Sequence, residues 1–227
     1  MSNRKIITQI GSLPYGDVRD AVRYSLRHDI PFLPELPKKG ECMLDYIKRP
    51  GTLACLDEFK KHDFQEVKIQ CVGPATLVKS GYDKDNAVEK IRRHVSAIIN
   101  GLKSKETILF LDEPSCEASS YEKRLWEETF RGLNVVKGIH NCGSVKWNEM
   151  FDSEIEIISF DASRYKVSGN RNGKRIAWGI ESREDAADFQ DGDLITLPCG
   201  MSPPRYNEAD CERNLERLLK ISEKLTN

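Results

Sequence analysis

The chain has no long hydrophobic run. None of its apolar stretches approaches the roughly 20 residues that span a bilayer, so a helical membrane protein is excluded and no membrane partner is expected. It also lacks an excess of either charge: 35 Lys+Arg against 36 Asp+Glu leaves a net charge of −1. That balance provides no electrostatic footprint for nucleic acid or an anionic surface. Neither GxGxxG nor GxxxxGK[ST] occurs, which removes the usual signatures of a doubly wound dinucleotide fold or a P-loop. No internal repeat, low-complexity tract or compositional break marks a boundary. The opening residues, Met1 to Lys5, lead into only a few apolar residues before Gly11 and do not read as a signal peptide. The seven cysteines are an odd, scattered set in a chain too large to need staples. They point to a reduced, cytoplasmic setting.

What the sequence does have is a polar residue at the downstream end of each strand-like run. The runs 6–10, 31–33, 67–72, 108–111, 135–139, 155–160, 176–180 and 194–197 end respectively at Ser12, Glu35, Gly73, Asp112, His140, Asp161, Glu181 and Cys199. Eight such runs separated by helix-like stretches predict an α/β fold, a single (β/α)8 TIM-type barrel over residues 1–227. In that architecture chemistry collects at the C-terminal rim of the strands. Helices are predicted at 85–102, on Val88, Ile91, Val95, Ile98 and Leu102, and at 208–225, on Cys211, Leu215, Leu218, Ser222 and Leu225. Asp17 is placed to cap a helix over 18–28. Short helical connections are expected at 145–151 and 183–189, a polar loop at 164–174, and poor periodicity at 37–61.

His140 and Cys142 stand two apart at the end of an apolar run, so in a strand their side chains share a face. Cys199 occupies an equivalent position three strands later, and Asp161 lies between them. Soft thiolates with imidazole favour zinc among the common divalent ions. The competing reading is a set of buried cysteines acting as small hydrophobes. His28, His62 and His94 read as surface groups, and Cys42, Cys55, Cys71, Cys116 and Cys211 as structural.

Asp112 and Glu113 follow a strand too apolar to be solvated, where two acids are costly unless paired or used. Either could instead cap a helix. Glu35, between Pro34 and Pro37, is stiffened as a ligand-holding group would be, or is a turn residue. Gly73 and Pro74 mark a sharp strand exit that also permits close approach of a ligand.

Six strings carry a more specific signal: IGSLP from Ile10, FLPELP from Phe32, KIQCVGPATL from Lys68, LFLDEP from Leu109, GIHNCG from Gly138 and LPCG from Leu197. In this order they resemble the catalytic barrel of cobalamin-independent methionine synthase, within the group that includes uroporphyrinogen decarboxylase. The resemblance covers nearly the whole chain. It implies zinc ligands at His140, Cys142 and Cys199, with Asp161 standing where the synthase has a glutamate. It implies substrate-binding roles for Ser12, Glu35 and Asp112, and a methyl-donor side at Gly73, Pro74 and Glu181. No catalytic group beyond the metal ligands follows from it.

The departures also inform. The stretch Trp178 to Arg183 lacks the histidine that serves proton transfer in the synthase, and the tandem N-terminal half is absent. The resemblance therefore implies methyl transfer to a small thiol such as homocysteine, with a methylcorrinoid on a partner protein as donor in place of folate. The alternative is a shortened barrel that binds metal or thiol without transferring a methyl group.

Overall fold

A computed structural model of the chain describes residues 6–225. Short helices α1 (Val18–Ser25), α2 (Met43–Tyr46) and α3 (Leu56–Phe59) precede β1 (Asp63–Val72). There follow α4 (Pro74–Lys79), α5 (Lys84–Ile99), β2 (Lys103–Asp112), α6 (Ser120–Phe130), β3 (Val136–Asn141) and α7 (Trp147–Phe151). The remaining elements are β4 (Ile157–Asp161), β5 (Arg175–Gly179), β6 (Leu194–Thr196) and α8 (Glu208–Leu225).

The strands form one parallel sheet in the order β1-β2-β3-β4-β5-β6, curled into a half-barrel. An α/β architecture is present, but the closed eight-strand (β/α)8 barrel is not. The runs 6–10 and 31–33 make no ladder. Their strand pairing with the sheet edges and with each other is limited, among the described residues, to isolated bridges, Ile7–Ile195, Ser12–Glu35 and Phe32–Lys68. The reason lies in where their backbone groups go. The amides of Ile6 and Ile7 donate to the Asp29 carboxylate at 3.2 and 3.0 Å, and that of Gly11 donates to the Gln70 side chain. Pro31, which opens the second run, and Pro34, just past its end, have no N–H to offer a ladder.

β1 and β2 each extend further upstream than their apolar runs. Their first four residues are mostly exposed or half-buried and the last six form the buried part. Hydrophobicity marks only that buried half. Alternation then separates two faces. Ile108, Phe110, Ile157, Ala177 and Leu194, from four different strands, meet Ile10 and Ile30 in a single cluster, which identifies the concave side. Leu109, Leu111, Ile139, Ile158 and Phe160 face the helix layer and its larger core.

The helices follow their patterns with local corrections. Asp17 caps α1 through the amides of Arg19 and Asp20, but the helix stops at Ser25. The buried stripe of α8 is Cys211, Leu215, Leu218 and Ile221, so Ile221 rather than Ser222 continues it. Segment 183–189 forms only a single 3-10 turn, Arg183–Ala186. His28 and His94 are buried, not on the surface. His94 falls on the α5 stripe between Ile91 and Ile98 and stacks on Tyr46 at 4.8 Å, while His28 packs edge-on against Tyr24 and Phe32. Burial holds both imidazoles at a pKa of about 4. No helix among the described residues is long and apolar enough to cross a membrane.

Candidate metal centre and inner acid cluster

β3 ends by presenting His140 to the concave side, and Cys142 follows one residue past the strand. His140 Nε2 lies 3.0 Å from Cys142 Sγ, while Nδ1 lies 3.0 Å from Ser159 Oγ on β4. A serine on the far nitrogen fixes the ring, an arrangement that suits a ligating imidazole. The loop after β6 brings Cys199 to the same place, with its Sγ 3.7 Å from that of Cys142. One ligand atom from each of His140, Cys142 and Cys199 lies within 4.8 Å of the others, so this group can hold a metal ion. His140 is buried, Cys142 half-buried and Cys199 exposed.

The two thiols are electrostatically unequal. Hydrogen bonds from Cys142 and then His140 pull the Cys199 pKa down to about 4. The hydrogen bond to Cys199, with burial, pushes Cys142 up. A depressed thiol pKa beside imidazole is the electronic condition of a thiolate ligand. Two sulfurs and a nitrogen form a donor set that fits zinc. Asp161 is outside that group, and its Oδ1 accepts from the Ser163 amide at 3.1 Å and the Ser163 hydroxyl at 2.6 Å.

The acids lie next to this group. Asp112 pairs in register with His140. The Met201 amide donates to the Ser12 carbonyl at 2.7 Å, and a Cβ at Gly200 would stand 2.9 Å from that of Ser12, so the Cys199 loop seats directly on segment 6–12. Ser12 Oγ is 3.5 Å from Glu35 Oε2. Glu35 and Asp112 are 3 % and 4 % exposed, and each keeps one buried oxygen, Oε1 and Oδ1, without a partner among the described residues. Burial, then Asp112, raises the Glu35 pKa to about 8. Burial raises Asp112 as well.

Glu113 takes the capping role that either acid could have had, for a helix that precedes it in the chain. Its carboxylate accepts from the amides of Ala75 and Thr76, the Thr76 hydroxyl and Trp126 Nε1, at 2.9, 2.7, 2.5 and 3.1 Å. Gly73 admits it, since a Cβ there would fall 2.2 Å from Glu113 Cδ, and Pro74 opens α4. Glu181 is exposed, its amide donated to Asp185. Lys68 and Gln70, both buried on the concave face of β1, and Tyr46, whose hydroxyl accepts the Val72 amide, carry no role from the sequence. A lysine inside an apolar run was the available signal. No known protein-family model matches the chain, and no curated protein matches it.

Proposed function

We propose that the chain is a zinc-dependent methyltransferase that moves a methyl group to a small aminothiol such as homocysteine, similar to cobalamin-independent methionine synthase. The observation that carries this reading is a pair of buried carboxylates with free oxygens beside three soft donors. A structural metal site has no use for such acids.

His140, Cys142 and Cys199 would hold the ion. When bound, zinc lowers the pKa of a thiol so that it is nucleophilic at neutral pH. Three protein ligands leave a position open for substrate, the pattern of catalytic rather than structural sites. Asp161 would contribute through Ser163 and not as a ligand. Glu35 and Asp112 would receive the substrate ammonium on Oε1 and Oδ1, and Ser12 its carboxylate, fixing the sulfur's direction toward the donor. Cys199 is exposed, so the site is open to a bulky donor, and we assign that role to a methylcorrinoid carried by a partner protein. Gly73, Pro74 and Glu181 would border the donor side.

Incubating anaerobically purified, zinc-loaded protein with homocysteine and either methylcobalamin or methyltetrahydrofolate, with mass detection of methionine, tests this. Methionine from the corrinoid alone is expected. A protein that takes up no zinc under reducing conditions overturns the reading. A zinc protein that binds homocysteine and methylates nothing supports the second reading, a thiol- or metal-binding protein, which the lack of histidine from Trp178 to Arg183 favours.

A further inference from the structure

Lys68 and Gln70 have no part in the reading above, although both sit at the centre of the inner cluster. They lie two apart on β1 and so share its concave side. Lys68 is wholly buried; its Nζ donates to Gln70 Oε1 at 2.6 Å and stands 4.8 Å from the Phe110 ring centroid. That ring lies across the inner face because β3 carries glycine at 138, where a Cβ would come 2.1 Å from Phe110. Gln70 Oε1 also accepts the Gly11 amide at 2.7 Å.

Two donors on one amide oxygen fix which way the amide points. Its nitrogen must then face away from them, and it donates to Asp112 Oδ2 at 3.1 Å. The arrangement occupies one oxygen of Asp112 and leaves the other, Oδ1, buried and unpartnered. Charge gives the same direction: with Lys68 the one ammonium beside two buried carboxyl groups among the described residues, Glu35 keeps its proton up to about pH 8. An ammonium group on a ligand supplies both the charge and the missing donors.

We propose that Lys68 and Gln70 are positioning residues: they hold Asp112 by Oδ2 so that its Oδ1, with Glu35 Oε1, selects a thiol bearing an ammonium over the same thiol without one. The proposal rests on the thiol-site reading above. A lysine serving only to neutralise buried acids would change stability and leave ligand preference alone.

The test is calorimetric titration of the zinc-loaded protein with homocysteine and with 4-sulfanylbutanoate, which lacks only the amino group. The wild type is expected to prefer homocysteine by about 10- to 100-fold, the range of hydrogen bonds to a charged group. In Lys68→Met and Gln70→Leu the ratio should fall to about threefold or less, with the affinity for 4-sulfanylbutanoate unchanged and Lys68→Arg restoring part of the preference. Gln70→Leu removes no charge and carries the test should Lys68→Met fail to fold. A ratio that survives in the folded variants overturns the proposal, as does a parallel fall in both affinities. A wild type that binds both thiols equally overturns the selection alone. A wild type that binds neither removes the thiol-site reading and the proposal together.

Discussion

Asp112 and Glu113 are neighbours in the chain, equally buried, and stand in different regions of the molecule. Glu113 faces the helix layer, where four donors from α4 and Trp126 surround it. Asp112 faces the concave side, where, among the described residues, Gln70 is the one side-chain donor and Oδ1 has no partner. Burial raises both carboxyl groups; the hydrogen bonds of Thr76, Ala75 and Trp126 oppose it at Glu113, and the charge of Lys68 opposes it at Asp112. The first acid ties a strand to a helix. On the proposed reading the second is kept for a ligand ammonium, which would bring the donor that its Oδ1 lacks among the described residues.

The largest expected effect bears on whether the inner region is a site at all. Cys142→Ser or Cys199→Ser should weaken zinc binding by roughly a thousandfold or more, since each removes a ligand rather than a supporting group. Competition against a chromophoric chelator measures it. Zinc affinity unchanged from wild type in both variants would leave the inner side no more functional than the outer.

Next comes the direct contrast. Glu113→Ala strips the donors of α4 and Trp126 of their acceptor and should cost about 3 kcal/mol. Its thiol affinity per folded molecule should not change. Asp112→Asn should behave in the opposite way, with stability within about 1 kcal/mol of wild type, because removing the Asp112 charge lets Glu35 ionise beside Lys68 in its place. Its homocysteine affinity should fall about 10- to 100-fold. Denaturant unfolding paired with calorimetry separates the two. Matching profiles for both variants would erase the distinction drawn between the neighbours.

A pH series sharpens it further. Glu35 has its folded pKa raised from 4.5 to about 8, so folding favours its protonated form. The associated stability is complete below about pH 4.5 and is lost as pH rises through 8. Relative to Glu35→Gln, the wild type should therefore weaken between about pH 4.5 and 8, by roughly 4 to 5 kcal/mol at most. Parallel stability curves for the two proteins across that range would show that Glu35 is not buried as described.

How much of this the sequence disclosed depended on the kind of signal. His140 and Cys142 were legible because a two-residue spacing at a strand end has one geometric consequence, and Cys199 because its run ends in the same way. The closed eight-strand ring was not, since alternation and apolarity cannot tell where a backbone amide finds its partner. Those of Ile6 and Ile7 find Asp29, and Pro31 and Pro34 have none. Asp161 looked like a ligand by position, and its bonds to Ser163 become visible only in three dimensions. Lys68 was passed over because a lysine reads as solvated unless the residues around it are known to be buried.

Gly11 offers the smallest and most local test. A Cβ there would stand 2.9 Å from Gln70 Cδ, so glycine lets the first segment approach and donate its amide to Gln70. In Gly11→Ala the side-chain end of Gln70 has to shift by a few tenths of an ångström, which its flexibility allows at under about 1 kcal/mol. The same shift loosens the amide that holds Asp112 Oδ2, so homocysteine affinity should fall by only about two- to fivefold, with binding of 4-sulfanylbutanoate unaffected. Glycine at 11 has no contact with Glu113, so the outer region should not register the change in its unfolding midpoint beyond that small cost. A loss of stability as large as that of Glu113→Ala would mean that the inner network, too, is there to hold the fold together.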